Sequence, residues 1–118
     1  MSERQPWKPR AATDKIRAIA RSPKLALGYK LHAREQMEKR GIIVSDVLFV
    51  LKFGFVLIAP EPATKLGSYR YAMDNKTPNS DSRDIRLIVI PDEMTSMLEL
   101  VTVMWVDELA SRAGSIIR

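Results

Sequence analysis

The sequence contains no cysteine and a single histidine, and these absences exclude several kinds of site. Without cysteine there is no disulfide, no thiolate nucleophile and no Cys-based zinc or iron–sulfur centre. One histidine is too few for a histidine-rich metal site, and the sequence shows no cluster of carboxylates that would replace it. We therefore expect a protein that uses neither a metal nor another cofactor.

Long apolar segments are also missing. The sequence has no run of about 18 uncharged apolar residues. Its first twenty residues carry several charges and lack the apolar stretch of a signal peptide. With 118 residues, of which 46% are hydrophobic and 28% charged, the chain suffices for one domain with a core. These features predict a soluble, cytoplasmic protein that does not bind membranes.

The net charge of +5 is unevenly distributed along the chain. Residues 1–40 contain 11 Lys and Arg against 4 Asp and Glu, whereas residues 41–118 contain 8 against 10. A basic first part beside a mildly acidic remainder is typical of a protein that binds phosphate or an acidic partner. A solvated helix surface in a basic protein would give the same composition.

Two prolines in the first ten residues, with Trp7 between them, predict a flexible arm over residues 1–12. A first helix should then begin at Thr13 or Asp14 and end at Ser22-Pro23. We predict one α+β domain over residues 13–106, followed by a C-terminal helix or tail over residues 107–118.

The second predicted helix contains the only histidine. It runs from Leu27 or Tyr29 to Arg40 and ends at Gly41, a residue that favours the left-handed position after a helix. At 3.6 residues per turn, His32, Gln36 and Lys39 share one side of this helix. Arg40 falls between that side and the core-facing side.

A third helix and four strands complete the predicted elements. Ser45 should cap a helix over Asp46–Lys52 that is apolar nearly all round and therefore buried on more than one side. The period then becomes that of strands, over residues 55–58, 68–73, 85–90 and 97–105. Alternation along these strands separates Arg70 from Tyr71 and presents Arg86 on one face.

The stretch His32-Ala33-Arg34, then Met37, then Arg40-Gly41-Ile42, resembles a bacterial family known only as domain of unknown function 4258. In outline that family is similar to the RelE, ParE and BrnT toxins. The resemblance covers about residues 13–105 and implies N-terminal helices packed on a curved four-stranded antiparallel sheet, as in RelE. It also implies RNA cleavage, with or without the ribosome, and an antitoxin partner.

The residues depart from the BrnT pattern at two places. Arg40 stands where BrnT-like toxins have the histidine of a Lys-His-Gly-Ile turn. The last strand ends in Met104-Trp105-Val106-Asp107, where such toxins usually end in basic residues. If those basic residues stabilise the reacting phosphate in the toxins, this chain lacks that part.

A metal-independent endoribonuclease needs a base, an acid and cations that stabilise the phosphorane. His32 suits either proton-transfer role near neutral pH. Arg40 and Arg70 are the candidate phosphate ligands, and Tyr71 is a candidate for base stacking or proton donation. Each of these residues also has an ordinary structural explanation. His32 could be bound to backbone groups, and Arg40 could be a charge at a helix C-terminus. Arg70 could be a solvated residue of a strand, and Tyr71 could be packed in the core.

Two further hypotheses involve binding without catalysis. In the first, nucleic-acid phosphates or an acidic antitoxin are bound by basic residues of the helices and strands, namely Lys30, Arg34, Lys39, Arg40 and Arg86, together with Arg17 and Arg21. In the second, the third helix and a sheet edge bind a partner strand or a second copy of the chain. The sequence does not decide among these hypotheses.

Overall fold

Three helices of ten residues or more lie in the first half of the chain, and the longest strands lie in the second half. A computed structural model describes residues 4–109, which form a mixed α+β structure as predicted. The helices are α1 (Pro9–Arg21), α2 (Leu31–Arg40) and α3 (Val44–Phe53). The strands are β1 (Ala26–Tyr29), β2 (Phe55–Val56), β3 (Glu61–Pro62), β4 (Tyr69–Asn75), β5 (Ile85–Asp92) and β6 (Met97–Trp105).

The sheet has the order β1-β6-β5-β4-β2, and β3 also pairs with β4. The four predicted strands are present as β2, β4, β5 and β6, and they pair antiparallel. A four-stranded antiparallel sheet is nevertheless wrong as a description, because β1 adds to β6 in parallel and β3 is a sixth strand. β1 pairs with a strand that lies 71 positions later in the sequence, and β3 consists of two residues, one of them Pro62, so no local pattern indicates either strand.

The segment Ala26–Tyr29 is a strand, although the sequence predicted that α2 begins within it. Gly28 leaves room for the side chain of Met97 on the neighbouring strand, since a Cβ there would lie 2.7 Å from Met97 Cε. α2 starts only at Leu31 and ends, as predicted, at Gly41, whose φ of 67° lies in the left-handed region. The short path from β1 into α2 places α2 beside β6.

α1 begins at Pro9, earlier than the predicted start at Thr13 or Asp14, because proline suits the first turn of a helix. Thr13 lies inside the helix and accepts a hydrogen bond from the N–H of Val56 (2.8 Å). Before the helix, Trp7 is buried and stacks on Tyr71 with 5.4 Å between ring centroids.

The part of the predicted tail beyond Leu109 lies outside the described residues, while residues 106–109 are helical.

α1 and α3 pack on one face of the sheet and enclose the core there. Ile16, Ile19 and Ala20 of α1 are buried as the apolar stripe predicted. α3 buries Val47, Val50 and Leu51, whereas its last residue, Phe53, is 46% exposed. The helix is thus mainly part of the domain interior.

Cations of α1 contact the end of α3. Arg17 donates from Nε to the carbonyl oxygen of Gly54 (2.9 Å) and from Nη2 to that of Phe53 (3.1 Å). Arg21 donates to the carbonyl oxygen of Lys52. These bonds satisfy carbonyls that a helix leaves unpaired at its C-terminus. Both arginines therefore connect α1 to the end of α3, and they do not join the residues of the predicted phosphate-binding surface.

Asp46 is the polar residue that fixes the start of α3, where the sequence predicted Ser45. It is 4% exposed and accepts hydrogen bonds from the N–H of Ile43 (3.1 Å) and from Thr77 Oγ1 (2.7 Å). The second bond ties the polar segment between β4 and β5 to the helix. Within residues 4–109, no helix has the length and apolar character needed to cross a membrane.

Candidate functional site

α2 presents a line of polar side chains toward β6. His32, Gln36 and Arg40 are spaced four residues apart and therefore lie along one side of the helix. The buried Ala33 brings the helix close to the domain. β1 pairs with β6 only as far as Leu100, and α2 lies beside the remainder of β6.

A hollow of about 360 Å³ lies between α2, the second half of β6 and residues 106–109. We call it the α2–β6 hollow. The residues that line it and that matter below are His32, Gln36, Lys39, Arg40, Thr102, Trp105 and Glu108. Two cationic side chains, Lys39 and Arg40, and one carboxylate, Glu108, line it together with the imidazole of His32. The hollow is therefore electropositive.

Arg40 is the most unusual residue of the hollow, because its guanidinium is largely buried and only partly paired. Its side chain is 17% exposed, and Nη2 lies 3.3 Å from Glu108 Oε2. Nε and Nη1 are buried and have no hydrogen-bond partner within residues 4–109. A buried donor without an acceptor costs about 1–3 kcal/mol, and more when it is charged. An anion in the hollow would supply the missing acceptors.

The backbone of Arg40 is fixed by β6. Trp105 donates its indole Nε1–H to the carbonyl oxygen of Arg40 (3.2 Å), one of the carbonyls that the end of α2 leaves unpaired. Arg40 and Lys39 occupy the last turn of α2, where cations interact favourably with the helix dipole. Arg40 can therefore interact with the dipole of α2 and line the α2–β6 hollow at the same time.

His32 and Lys39 lie at the rim of the hollow, and both are exposed. The structure thus brings together three predicted site residues, His32, Lys39 and Arg40. Their common location follows from the helical period that the sequence already indicated.

Arg70 lines two further hollows, on the sheet face away from α1 and α3. One, of about 210 Å³, contains Ala72, Ile88 and Thr102, and Thr102 also lines the α2–β6 hollow. The other, of about 330 Å³, contains Lys30 and Lys65. Lys30 lies 3.7 Å from Glu99, and Arg70 donates to the carbonyl oxygen of Pro62 (3.2 Å). Arg70 thus lies outside the α2–β6 hollow, and only the smaller of its two hollows adjoins that hollow.

Tyr71 lies on the opposite face of the sheet from Arg70. It is fully buried, accepts a hydrogen bond from the N–H of Trp7 (2.9 Å) and donates one to Gln5 Oε1 (3.2 Å). Burial raises the pKa of the Tyr71 phenol above its ordinary value, and the hydrogen bond from Trp7 opposes this effect. The structure therefore does not bring Tyr71 to any of the three hollows.

Arg86 and Arg34 are also separated from the α2–β6 hollow. Arg86 forms a two-pronged ion pair with Asp74, with both N–O distances 2.8 Å, and the pair raises the pKa of Arg86. Arg34 lies over the ring of Tyr29, 5.6 Å from its centroid. It lines a different hollow with Met37 and Val44. Neither guanidinium joins Arg40.

Glu108, Thr102 and Trp105 line the α2–β6 hollow and were not identified from the sequence. Glu108 falls in the segment that the sequence indicated only as a helix or tail. Its proximity to Arg40 depends on β6 running back along α2, a pairing between residues 68 positions apart. Within residues 4–109, no three His, Asp or Glu side chains are grouped in a way that could hold a metal ion.

Comparison with known proteins identifies a family. The sequence model of a family described as a domain of unknown function (DUF4258) matches residues 29–105, which include α2, α3 and every strand after β1. No curated protein and no solved structure matches the chain.

Proposed function

The chain belongs to the DUF4258 family, and from the geometry of its α2–β6 hollow we propose that it binds RNA by holding a backbone phosphate there. The observation that carries the proposal is the guanidinium of Arg40, buried beside His32 and Lys39 with two donors unpaired. A phosphodiester has two free oxygens that suit such donors, and a guanidinium can bind both at once.

The two hollows that contain Arg70 extend the proposed site. The smaller one adjoins the α2–β6 hollow at Thr102, and the larger one shares Arg70 with the smaller. Together they add Arg70, Lys65 and Lys30 as further cations. A chain of phosphates crossing the open face of the sheet would meet these cations in turn. The proposed site does not include Tyr71, which is buried on the opposite face of the sheet. It also excludes Arg86 and Arg34, which lie away from the α2–β6 hollow.

Cleavage of the bound RNA is a second proposal, and the placement of His32 at the rim beside Arg40 supports it. The neutral imidazole would take the proton of the ribose 2′-hydroxyl as the 2′-oxygen attacks phosphorus. The bond from phosphorus to the 5′-oxygen would break, with the proton returned by the imidazolium. The products would be a 2′,3′-cyclic phosphate and a free 5′-hydroxyl, while Arg40 stabilises the charge on the phosphorane. A relation to the RelE, ParE and BrnT toxins belongs to this proposal.

Replacing Arg40 tests the binding proposal. We expect Arg40→Ala to weaken binding of a short single-stranded RNA by about tenfold or more, because hydrogen bonds to charged groups contribute about 1.5–3 kcal/mol. Fluorescence anisotropy with a labelled oligonucleotide gives the affinity. Binding by the unchanged protein should also weaken steeply with added salt.

Arg34→Ala is the matched control, since it removes the same charge from the same helix but lies in a different hollow. Its effect should stay within about threefold, as expected for an exposed charge. The binding proposal fails if the unchanged protein does not bind RNA, or if both variants lose affinity equally. Product analysis with His32→Ala tests cleavage, which is wrong if the unchanged protein leaves bound RNA intact.

A further inference from the structure

We propose that Glu108 is an internal competitor for Arg40, which lowers anion affinity so far that single phosphate ions stay out of the α2–β6 hollow at ordinary concentrations while chains of several phosphates still bind. The inference rests on the proposed function, because it assigns the ligand class of the same site. It starts from the single ion pair that the Arg40 side chain forms within the described residues.

The contact between the two side chains is suited to displacement. Arg40 Nη2 and Glu108 Oε2 are 3.3 Å apart, longer than the 2.7–2.9 Å typical of a strong charged hydrogen bond. The carboxylate engages one nitrogen of the guanidinium and leaves the other two unpaired. The side chain of Glu108 is also 37% exposed, so it has solvent available when it moves away.

Neighbouring contacts keep Glu108 close to Arg40. The adjacent Asp107 accepts two hydrogen bonds from Arg83, at 2.7 and 2.8 Å, and Arg83 lies 4.0 Å from the ring centroid of Trp105. Trp105 in turn donates to the backbone of Arg40. A carboxylate held in this way competes as if it were present at millimolar concentration or above.

Competition of this kind lowers the affinity of the hollow for every anionic ligand by the same factor. If Glu108 occupied Arg40 nine-tenths of the time, the apparent affinity of a ligand would fall about tenfold. A single phosphate ion has few other contacts in the hollow and would no longer bind at ordinary concentrations. An RNA strand that also meets Lys39, Arg70 and Lys65 retains enough contacts to displace the carboxylate.

The test compares the unchanged protein with Glu108→Gln, which removes the charge and keeps the shape. Inorganic phosphate and a short single-stranded RNA serve as the two ligands, and the indole N–H signal of Trp105 reports occupancy of the hollow. We expect Glu108→Gln to bind both ligands about tenfold more tightly. Glu35→Gln removes the same charge from an exposed position of α2 and should change neither affinity by more than about twofold.

The outcomes separate this inference from the proposed function. A gain in phosphate affinity for Glu108→Gln alone supports the competitor role, even if RNA fails to bind. Equal affinities of Glu108→Gln and the unchanged protein overturn the competitor role, even if RNA binds well. An equal gain for Glu35→Gln overturns it too, because the effect would then come from net charge.

Discussion

At the scale of single residues, Arg40 combines a structural role with a side chain that is only partly paired. Its position in the last turn of α2 is favourable for a cation, and Trp105 binds its backbone. Its side chain, however, is buried with two donors unpaired. The fold stabilises the residue through the helix and the backbone, and leaves part of the guanidinium available for a ligand.

Tyr71 gives a prediction about stability, since its phenol bonds to Trp7 and Gln5 inside the fold. Tyr71→Phe should lower the free energy of unfolding at pH 7 by about 1–3 kcal/mol, because the N–H of Trp7 loses its acceptor. In the unchanged protein the raised pKa of Tyr71 means that the folded state keeps its proton at pH values where the unfolded state loses it. The stabilisation is therefore complete below pH 10 and is lost as the pH rises further.

Urea unfolding at pH 7 and above pH 10 measures both effects. The alkaline loss of stability should be smaller in Tyr71→Phe than in the unchanged protein. Tyr29, whose pKa burial also raises, supplies the part of the loss that remains. Tyr69→Phe is the control on the same strand. An equal loss at pH 7 for Tyr69→Phe and Tyr71→Phe would contradict the importance of the buried hydrogen bonds.

The sequence predicts some residue positions well and others not at all. His32 and Arg40 share a hollow because they lie on one helix, and helical spacing can be read directly. Alternation separates Arg70 from Tyr71, but which of the two faces the core depends on where α1 and α3 pack. The pairing of Arg86 with Asp74 depends on the register between β4 and β5, which no local pattern gives.

At the scale of elements, prediction succeeded where the signal is local. The end of α2 at Gly41 and the stretches of strand pattern that contain β2, β4, β5 and β6 were predicted. β1 was missed because its partner, β6, lies 71 positions later in the sequence, so no local pattern indicates the pairing. This short parallel strand is nevertheless what sets α2 beside β6, so the site depends on an element that the sequence does not reveal.

Two glycines at helix ends should respond differently to substitution. Gly54 has no room for a side chain, since a Cβ would lie 2.4 Å from the carbonyl oxygen of Val50 and 3.0 Å from that of Asp74. Gly54→Ala should therefore cost about 3 kcal/mol of unfolding free energy. Gly41 has open space around it but a φ of 67°, so Gly41→Ala should cost only about 1 kcal/mol.

Thermal or urea unfolding of the variants distinguishes the two mechanisms. Gly41→Asn should recover part of the loss seen in Gly41→Ala, because asparagine tolerates the left-handed conformation. Gly54→Asn should be no better than Gly54→Ala. Similar losses for Gly41→Ala and Gly54→Ala would be inconsistent with the steric account of Gly54.

At the scale of the whole molecule, the fold places basic residues of the first 40 positions in different surroundings. Arg17 and Arg21 of α1 bind the carbonyls at the end of α3. Lys39 and Arg40 of α2 line the α2–β6 hollow. The charge asymmetry of the sequence does not distinguish these two groups. Composition alone does not show which cations the fold itself uses.

The two tryptophans and the single histidine allow a direct test of the binding surface. Trp105 and His32 line the α2–β6 hollow, whereas Trp7 is buried against Tyr71 on the other side of the sheet. The measurement is a titration of the labelled protein with short single-stranded RNA, followed by NMR. We expect the ring signals of His32 and the indole signal of Trp105 to shift with RNA concentration, while the indole signal of Trp7 stays in place. Binding of RNA that shifts Trp7, and leaves His32 and Trp105 unchanged, would contradict the account.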